Sequence, residues 1–494
     1  MRGRGYNSSN LAGCPVETIV LEVPAQFKGA VVCLKQLFAL AQSACVQGAS
    51  DEPMPYAELE RALAIGTGEL QRRVHEPILA SMARDAQRLW IGGVAHQRAG
   101  LSIATYYTLT GPASVTRWRY RPEGRPGAAT VDPIAVRIGA VRDTWLPATA
   151  EVMAFLVQQG PQREAERTAQ LLQMLPYSDS SFHRVTQALG VLWVAHRDAI
   201  EADLIARMVL PDGATGITIS LDRVATPMEE RRKRPKGRPK KGAAKRPIAV
   251  VWRMSYCATV TLHDANGKGL FTLRYGAMPG CNPDQEIITA LEHDVAALRA
   301  RLPDLKVGLL CDGAVEMWNL LEGRFTEELL ETSIRELVDL WHLLQKVGKA
   351  LRTRYTEART KTELARWKLR LLNRSDAATA LRNELRSWLK KPEDEPLGEG
   401  CPLKEAVGFL TRQLNAGRLD YAAARRAGQP VGSGAVEASC KCVFNVRMKR
   451  SGARWREASA AHVINLRATA LSHRWDAAMA MLHVANRVEV RRAA

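Results

Sequence analysis

A change in hydrophobic period near Gly216 constrains the fold of this chain more than any other feature of its sequence. From Lys28 to about Ala206 the apolar residues recur at helical spacing, apart from a strand-like stretch from Val115 to Tyr120. From Trp252 to Leu262 they instead alternate with polar residues, as in a strand with one buried face. Helical spacing returns after Asp312. The pattern therefore predicts an α/β region between two mainly helical ones.

Within the α/β region, two short apolar runs each end on an aspartate. Ile217 to Leu221 is followed by Asp222, and Val307 to Cys311 is followed by Asp312. Between them the sequence indicates a β-hairpin and then an amphipathic helix with a cap. The apolar stripe of this helix is Ile288, Leu291, Val295, Leu298 and Leu302. Strand, hairpin, helix and strand in this order predict a mixed sheet flanked by helices.

The composition excludes several classes of protein. A hydrophobic fraction of 46% and a charged fraction of 24% are ordinary for a globular chain and exclude a mainly disordered or collagen-like one. We find no apolar run of the ~18–20 residues that cross a bilayer, and Met1 to Asn10 lacks the apolar segment of a secretory signal. A membrane or secreted protein is therefore not expected. The length of 494 residues favours several domains.

The charge balance is the first indication of a partner. Lys and Arg number 70 and Asp and Glu 51, which gives a net charge of +19. Such a surplus favours a polyanionic partner, usually nucleic acid, although an anionic membrane surface attracts it equally. The nine cysteines include no Cys-x-x-Cys pair, so a zinc ribbon is not expected. They indicate reduced thiols and hence a cytoplasmic protein.

Two stretches of the N-terminal region have the spacing of a helix-turn-helix. They are Tyr56 to Val74, with Gly66 near the turn, and Ala165 to Leu189. In the second, Ser178-Asp179-Ser180 predicts the cap of a recognition helix that begins Ser181-Phe182-His183-Arg184. Helix pairs joined by a polar turn are common in any helical domain, so plain helical packing is the alternative for both.

Asp222 and Asp312 both follow apolar strands, and functional groups commonly collect at the carboxyl ends of strands in an open sheet. A third carboxylate, here Glu437 on a helix that follows Gly432-Ser433-Gly434, would let them hold a pair of divalent cations. Two such ions activate the attacking oxygen and stabilise the leaving oxygen in phosphoryl transfer. The alternative is that the aspartates form turns or cap helices and that Glu437 is an ordinary surface residue.

A set of ordered motifs between about Gly216 and Ala470 resembles the Mutator-like transposases of bacterial insertion sequences. Their ordered succession is more specific than any one motif. The matching stretches are Ser220-Leu221-Asp222-Arg223, Leu310-Cys311-Asp312-Gly313, Asp339-Leu340-Trp341-His342, Gly428 to Glu437, Arg447 to Trp455, and Ile464 to Ala468.

The resemblance implies an α/β, RNase H-like catalytic core in which Asp222, Asp312 and Glu437 bind two Mg²⁺ (or Mn²⁺) ions. It also implies that Asp339 and His342 belong to the catalytic residues. His342 would contact the scissile phosphate or a metal-bound water. Some relatives carry a small cysteine-rich element, and the corresponding loop of this chain contains no cysteine.

With this resemblance, the chain divides into four predicted parts. Residues 1–210 form a mainly helical N-terminal region with helix-turn-helix-like DNA-binding segments. Residues 211–324 form the first part of the RNase H-like core, with a basic loop at 229–247 that is not expected in every relative. Residues 325–430 form an all-α insertion, and residues 431–494 form the C-terminal helices of the core.

Two basic segments are predicted to hold DNA. The first contains Gly237-Arg238-Pro239-Lys240-Lys241, which is typical of a minor-groove hook, and the alternative is a solvated loop with no partner. In the second, Trp455 would stack on an unpaired base, and burial in the core is the alternative. The predicted DNA-binding residues are Arg231, Arg232, Lys233, Arg234, Lys236, Arg238, Lys240 and Lys241 in the first segment and Lys441, Arg447, Lys449, Arg450, Arg454 and Trp455 in the second.

These observations predict a DNA transposase. It would bind the terminal inverted repeats of its insertion sequence, cleave the DNA at their ends with Mg²⁺ and join the freed 3′-hydroxyl to target DNA. Because both ends of the element must be held together, at least a homodimer is expected. The expected location is cytoplasmic and nucleoid-associated, and no membrane partner is expected. A catalytically silent DNA-binding regulator derived from a transposase and a metal-dependent nuclease are the alternatives.

Overall fold

Two β-sheets and the helices around them organise the computed structural model of the chain, which describes residues 19–231, 248–280, 282–389 and 400–493. The strands are β1 (Arg88–Ile91), β2 (Val94–Thr108), β3 (Gly111–Pro122), β4 (Gly216–Arg231), β5 (Ile248–His263), β6 (Gly269–Ala277), β7 (Lys306–Cys311), β8 (Ile334–Val338) and β9 (Val490–Arg492). The helices are α1 (Lys28–Gly48), α2 (Tyr56–Ser81), α3 (Pro133–Ile138), α4 (Pro147–Gln159), α5 (Gln162–Leu171), α6 (Asp179–Arg207), α7 (Pro283–Arg301), α8 (Val315–Glu322), α9 (Glu327–Leu330), α10 (Leu340–Leu351), α11 (Glu357–Asn373), α12 (Ala377–Trp388), α13 (Pro402–Asn415), α14 (Tyr421–Arg426), α15 (Gly434–Ser439), α16 (Val446–Met448), α17 (Glu457–Leu471) and α18 (Trp475–Ala485). A 3₁₀ turn, Ala25–Phe27, precedes α1, and a π-helical turn, Cys440–Asn445, joins α15 to α16.

A five-stranded sheet has the order β6-β5-β4-β7-β8. β4, β5 and β6 are antiparallel neighbours, whereas β7 is parallel to β4 and β8 is parallel to β7. α7 contributes Ile288, Leu291, Val295 and Leu298 to the apolar core of this sheet, each 1% exposed or less, and Leu302 is partly buried beside them. The predicted mixed sheet flanked by helices is therefore present, and the apolar stripe of α7 is confirmed.

The first strand of this sheet is longer than predicted. β4 does not end before Asp222 but continues to Arg231, because its backbone stays paired with β5 along its whole length. Its parallel pairing with β7, in contrast, stops where Ile219 lies opposite Leu309. Asp222 therefore lies inside a strand, just beyond the point at which the parallel neighbour separates.

The helices of the region predicted as an all-α insertion, 325–430, pack into the same apolar cluster as the sheet. Leu343 of α10 and Trp367 of α11 are each 1% exposed or less within that cluster. The region is not all-α, however, because β8 forms the edge strand of the sheet. The charged residues Arg335 and Glu336 inside β8 obscure its apolar pattern, so the prediction missed this strand.

The N-terminal region contains a second, antiparallel sheet in the order β3-β2-β1-β9. The predicted strand at Val115 to Tyr120 lies within β3. Its long partner β2 has apolar residues on both faces, since Leu101 and Ile103 are exposed on one face while Ala104 and Tyr106 are buried on the other. Apolar and polar residues therefore do not alternate along β2, and the sequence pattern does not predict this strand. The N-terminal region is therefore helical around a sheet that the sequence pattern reveals only in part.

The C-terminal residues join both halves of the molecule. α17 packs on β6 and on α4 and α6, and α18 packs on α6. β9 pairs with β1 at the other end of the chain, with Trp90 opposite Arg491. Residues 431–494, predicted as helices of the core, thus also complete the N-terminal layer.

The first helix-turn-helix prediction is wrong. α2 is one continuous helix from Tyr56 to Ser81 and has no turn at Gly66. A Cβ at Gly66 would lie 2.6 Å from Leu37 Cδ2 of α1, so this glycine allows α1 and α2 to pack closely. The glycine that suggested a turn is a helix-packing residue.

The second candidate does form two helices, α5 and α6, but α6 begins at Asp179, two residues before the predicted start at Ser181. Phe182 is fully buried, His183 is half-buried and Arg184 is exposed. The predicted cap is absent, because the Ser178 side chain caps no backbone N–H and its hydroxyl lies 3.0 Å from that of Ser180. The first turns of α6 thus pack into the core on one side, through Phe182, and are exposed on the other, at Arg184.

One helical segment is long and apolar enough to cross a membrane, although no such segment was expected from the sequence. Ala25–Gly48, which includes α1, spans 24 residues with a mean hydropathy of 1.5, and this length and composition suffice to cross a membrane. Within the structure α1 packs along α2 and is otherwise largely exposed. The expectation that the chain has no such apolar run is therefore wrong, although a soluble core helix or a signal sequence meets the same criterion.

Candidate active site

Asp222 and Asp312 lie near each other, just beyond the last pair of the neighbouring strands β4 and β7. β4 and β7 are parallel with Ile219 opposite Leu309, so continuing this register by three residues brings Asp222 level with Asp312. Burial raises the pKa of Asp222, the backbone N–H of Arg223 at 2.6 Å opposes this rise, and the carboxylate of Asp312 adds to it. The structure therefore brings these two predicted residues together.

The turn after β7 holds Asp312 in place. Its Oδ1 accepts a hydrogen bond from the backbone N–H of Ala314 at 2.8 Å. Gly313 has a φ of +90°, in the left-handed region that favours glycine, and a Cβ there would lie 2.7 Å from the ring of Phe409 in α13. The turn requires glycine both for its backbone and for the packing of α13 against it.

Glu437 is not turned toward the two aspartates. Its side chain is 56% exposed, and its Oε1 lies 2.9 Å from Nζ of Lys441, one helical turn further on. Its helix does contact the site, because the thiol of Cys440 donates a hydrogen bond to Asp222 Oδ2 at 3.5 Å. Residues three apart in a helix share a face, so the backbone of Glu437 lies one helical turn before the Cys440 residue that contacts Asp222.

The helix that carries Glu437 changes type at this point. α15 ends at Ser439, and the π-helical turn Cys440–Asn445 follows before α16. Such turns are rare and frequently occur at functional sites. The sequence analysis missed this turn, because no residue type or spacing signals a π-helical turn as Gly or Pro signals a break.

Asp339 connects the start of α10 to the turn that precedes Glu437. Its side chain is 3% exposed, and its Oδ1 accepts the backbone N–H of His342 at 2.8 Å. Its Oδ2 accepts the hydroxyl of Ser433 at 2.6 Å and also the backbone N–H of Ser433. Burial alone would raise the pKa of Asp339, but the hydrogen bonds from His342 and Ser433 outweigh it and lower the pKa to about 2. Asp339 thus positions its neighbours.

His342 lies within electrostatic range of both aspartates. Its Nδ1 is 3.3 Å from Asp339 Oδ1, and its side chain is 35% exposed. The contact with Asp339 raises the pKa of His342, burial opposes the rise, and Asp312 and Asp222 add to it. A proton held on His342 places a positive charge beside the pair of carboxylates.

The predicted metal ligands are only partly assembled. In the described parts of the chain, no three His, Cys, Asp or Glu side chains lie close enough together to hold a metal ion. The donor chemistry fits Mg²⁺, because Asp222 and Asp312 supply hard carboxylate oxygens. Burial is the main cause of the raised pKa of Asp222 and the charge of Asp312 adds to it, so a cation bound there would lower this pKa. Glu437 completes the set if its side chain turns from Lys441 toward the contact that Cys440 makes.

Glu316 is an acidic residue beside the site that the sequence analysis did not single out. Arg223 forms an ion pair with it, and Tyr256 Oη donates a hydrogen bond to Glu316 Oε1 at 2.6 Å. Burial and this contact raise the pKa of Tyr256 to about 12. Because Arg223 follows Asp222 and Glu316 lies four residues after Asp312, this ion pair joins the two segments that carry the aspartates.

Most of the first basic segment lies outside the described residues. Arg231 is the last residue of β4, and β5 begins at Ile248. The predicted DNA-binding residues Arg232, Lys233, Arg234, Lys236, Arg238, Lys240 and Lys241 fall between these two strands, in the part of the chain that the structure does not describe.

The second basic segment lines an open cleft of about 520 Å³. Arg450, Arg454 and Trp455 form one wall, and His183 of α6 contributes to the other. Burial lowers the pKa of His183, and the charges of Arg456 and Arg447 lower it further. The remaining predicted residues, Lys441 and Lys449, are exposed on the surface. The structure thus brings the second helix-turn-helix candidate and the second basic segment together.

Arg447 and Trp455 are less accessible than predicted. Arg447 is 3% exposed, its Nε donates to the carbonyl of Val157 at 2.9 Å, and burial lowers its pKa to about 10. The prediction that Arg447 contacts DNA is therefore wrong, because its side chain joins α16 to α4 in the interior. Trp455 is half-buried, with the Arg447 guanidinium 4.5 Å from its ring centroid and its own Nε1 donating to the carbonyl of Met448.

The sequence matches no protein-family model and no curated protein. Among solved structures, the Drosophila P element transposase strand transfer complex is similar at 13% sequence identity and a TM-score of 0.25. The similarity covers 72% of this chain and 82% of that one. A similarity at this TM-score identifies neither a fold nor a function, so the assignment that follows depends on the residues of this chain.

Proposed function

We propose that this protein is a DNA transposase with an RNase H-like core, which cleaves and joins DNA strands with Mg²⁺ held by Asp222, Asp312 and Glu437. The observation that carries the proposal is that Asp222 and Asp312 both lie three residues beyond the last parallel pair of β4 and β7, close enough for the charge of Asp312 to raise the pKa of Asp222. The Glu437 helix touches that pair through Cys440. The order of motifs along the sequence, which resembles that of Mutator-like transposases, supports the same assignment.

When bound, the metal ions would polarise the scissile phosphate and lower the pKa of the attacking hydroxyl. The chain's own residues do the rest. Asp222 and Asp312 provide carboxylate oxygens just beyond the last hydrogen-bonded pair of β4 and β7, Ile219 and Leu309. Asp339 holds the start of α10, which carries His342, and the turn before Glu437 together, so that the backbones of these two segments keep their relative positions.

The basic surfaces support a polyanionic substrate. Arg450, Arg454 and Arg456 line the cleft beside α6, and the first basic segment follows β4, the strand that carries Asp222, in the sequence. We propose that these surfaces hold the terminal inverted repeats and the target DNA. A dimer is required because both ends of the element must be joined in one reaction.

The test uses purified full-length protein, labelled duplexes from the DNA that flanks the coding sequence, and a target plasmid, with Mg²⁺ or EDTA. Glu437→Gln is compared with Glu405→Gln, which alters an exposed glutamate in α13. We expect joined products that need the metal, vanish in Glu437→Gln and persist in Glu405→Gln. Cleavage without joining would instead identify a metal-dependent nuclease.

One observation favours a second candidate, a catalytically silent DNA-binding regulator. Glu437 is paired with Lys441 rather than facing Asp222, and no complete metal site is formed by the described residues. If this candidate is right, the wild-type protein and Glu437→Gln bind the same duplexes with equal affinity, and neither cleaves them at any Mg²⁺ concentration.

A further inference from the structure

Trp341 is an exposed aromatic residue directly beside the candidate site. It precedes His342 in the first turn of α10 and is 53% exposed. One edge of its indole packs on the turn before Glu437, because a Cβ at Gly432 would lie 3.3 Å from Trp341 Cδ1. Successive helical residues point about 100° apart, so Trp341 opens onto a surface next to the one that His342 faces.

A cleft of about 510 Å³ between α10 and α11 extends from Trp341. Leu344, Gly348 and Leu364 form its apolar wall, and the cations Lys349, Arg352 and Lys368 also line it. A nucleotide has the matching chemistry, since its base has apolar faces and its phosphate is an anion. Proteins that hold unpaired strands combine aromatic platforms and basic grooves in this way.

Lys368 lies over the indole of Trp341. Its Nζ lies 4.2 Å from the centroid of the Trp341 ring. An exposed cation–π contact is weaker than the stacking of a base on an aromatic ring, so a base can displace the ammonium group. The flexible lysine side chain then remains at the rim, where it can meet a phosphate, whereas Arg352 is held by Glu357 at 2.8 Å.

We infer that Trp341 stacks on an unpaired base in this cleft, and that the base belongs to the DNA strand whose phosphate reaches Asp222 and Asp312. The inference depends on the proposed function for its substrate class. It adds a base-binding site to the transposase, placed so that a strand opened near the cleavage point is held by its base as well as by its phosphates.

The test measures binding by full-length protein, in EDTA, of a 20-nucleotide single strand that contains 2-aminopurine and of the blunt duplex of the same sequence. We expect Trp341→Ala to weaken single-strand binding about 10-fold and duplex binding less than about 2-fold. Trp341→Phe should retain most of the affinity. The control Trp90→Ala, which alters a tryptophan 44% exposed on β1, should match the wild type.

Two further readouts separate stacking from a structural role. Stacking on Trp341 quenches 2-aminopurine at saturating protein, and Trp341→Ala should abolish this quenching. Lys368→Met should retain the quenching but reduce the salt dependence of single-strand binding by about 0.7 in the log–log slope, the value of one lost phosphate contact.

The inference is overturned if Trp341→Ala leaves single-strand affinity and quenching unchanged, or if it weakens single strand and duplex equally. It is also overturned if the wild type binds the duplex but not the single strand. None of these results needs metal or strand cleavage. Metal-dependent joining that is lost in Glu437→Gln would therefore still support the transposase if base stacking fails.

Discussion

The junction around Asp339 and the helical turn around Glu437 differ in nearly every physical respect, although both flank the same pair of aspartates. Asp339 is buried, and both its oxygens accept hydrogen bonds from His342 and Ser433. Glu437 is more than half exposed, and its side chain contacts the flexible Lys441. Under the proposed function, the Asp339 junction is therefore a rigid frame that the protein builds alone, and Glu437 is a movable ligand that a bound cation would have to draw in.

Removing the rigid junction should have the largest effect. Asp339→Ala leaves the N–H and hydroxyl of buried Ser433 without an acceptor, so we expect a loss of about 3 kcal/mol in the free energy of unfolding. Urea denaturation followed by circular dichroism measures this loss. The control variant Glu437→Ala should lose less than about 0.5 kcal/mol in the free energy of unfolding. Equal losses of stability in the two variants would contradict the difference drawn between Asp339 and Glu437.

Neutralising the movable ligand should affect chemistry and not stability. We expect Glu437→Gln to slow metal-dependent strand cleavage more than about 100-fold, since residues that merely support metal ligands already contribute 10–100-fold. The urea midpoint should stay that of the wild type because the side chain is exposed. A single-turnover cleavage assay tests this, and near-wild-type rates would remove Glu437 from the metal site.

Acid should weaken the junction in a defined window. The pKa of Asp339 is about 2 in the folded protein and 3.8 as its ordinary value, so its contribution is present above pH 4 and is lost as the pH falls through about 2. We expect this to remove roughly 2 kcal/mol of stability in the wild type. The same pH series on Asp339→Asn should lack this component, and parallel acid curves for the two proteins would refute the assignment.

Freeing the movable ligand should have the smallest effect. Lys441→Ala removes an exposed ion pair that is worth less than about 0.5 kcal/mol, so stability should hardly change. Glu437 is then free to turn toward Asp222, and we expect Mg²⁺ affinity to rise about 2-fold. Isothermal titration with Mg²⁺ measures this, with Lys449→Ala as the control, and a weaker affinity in Lys441→Ala would argue against the movement.

The sequence predicted the elements whose local pattern agrees with their final environment. The stripe Ile288 to Leu298 is helical and buried on one face, and α7 forms there. β2, β8 and the continuous helix α2 were missed because in each the packing overrides the local pattern: Ile103 is apolar but exposed, Glu336 is charged but lies within a sheet, and Gly66 breaks helices but is needed against Leu37.

For the candidate site, the ends of two apolar runs suggested Asp222 and Asp312, and the resemblance to Mutator-like transposases added Asp339, His342 and the role of Glu437. Tertiary structure decided how these residues meet. The register of β4 with β7 places Asp222 and Asp312 equally far beyond their last pair, and the bonds to Ser433 turn Asp339 inward as a positioning residue. A sequence records which side chains are available, whereas their distances, burial and hydrogen-bond partners depend on strands and helices that are far apart in the chain, and only folding brings these together.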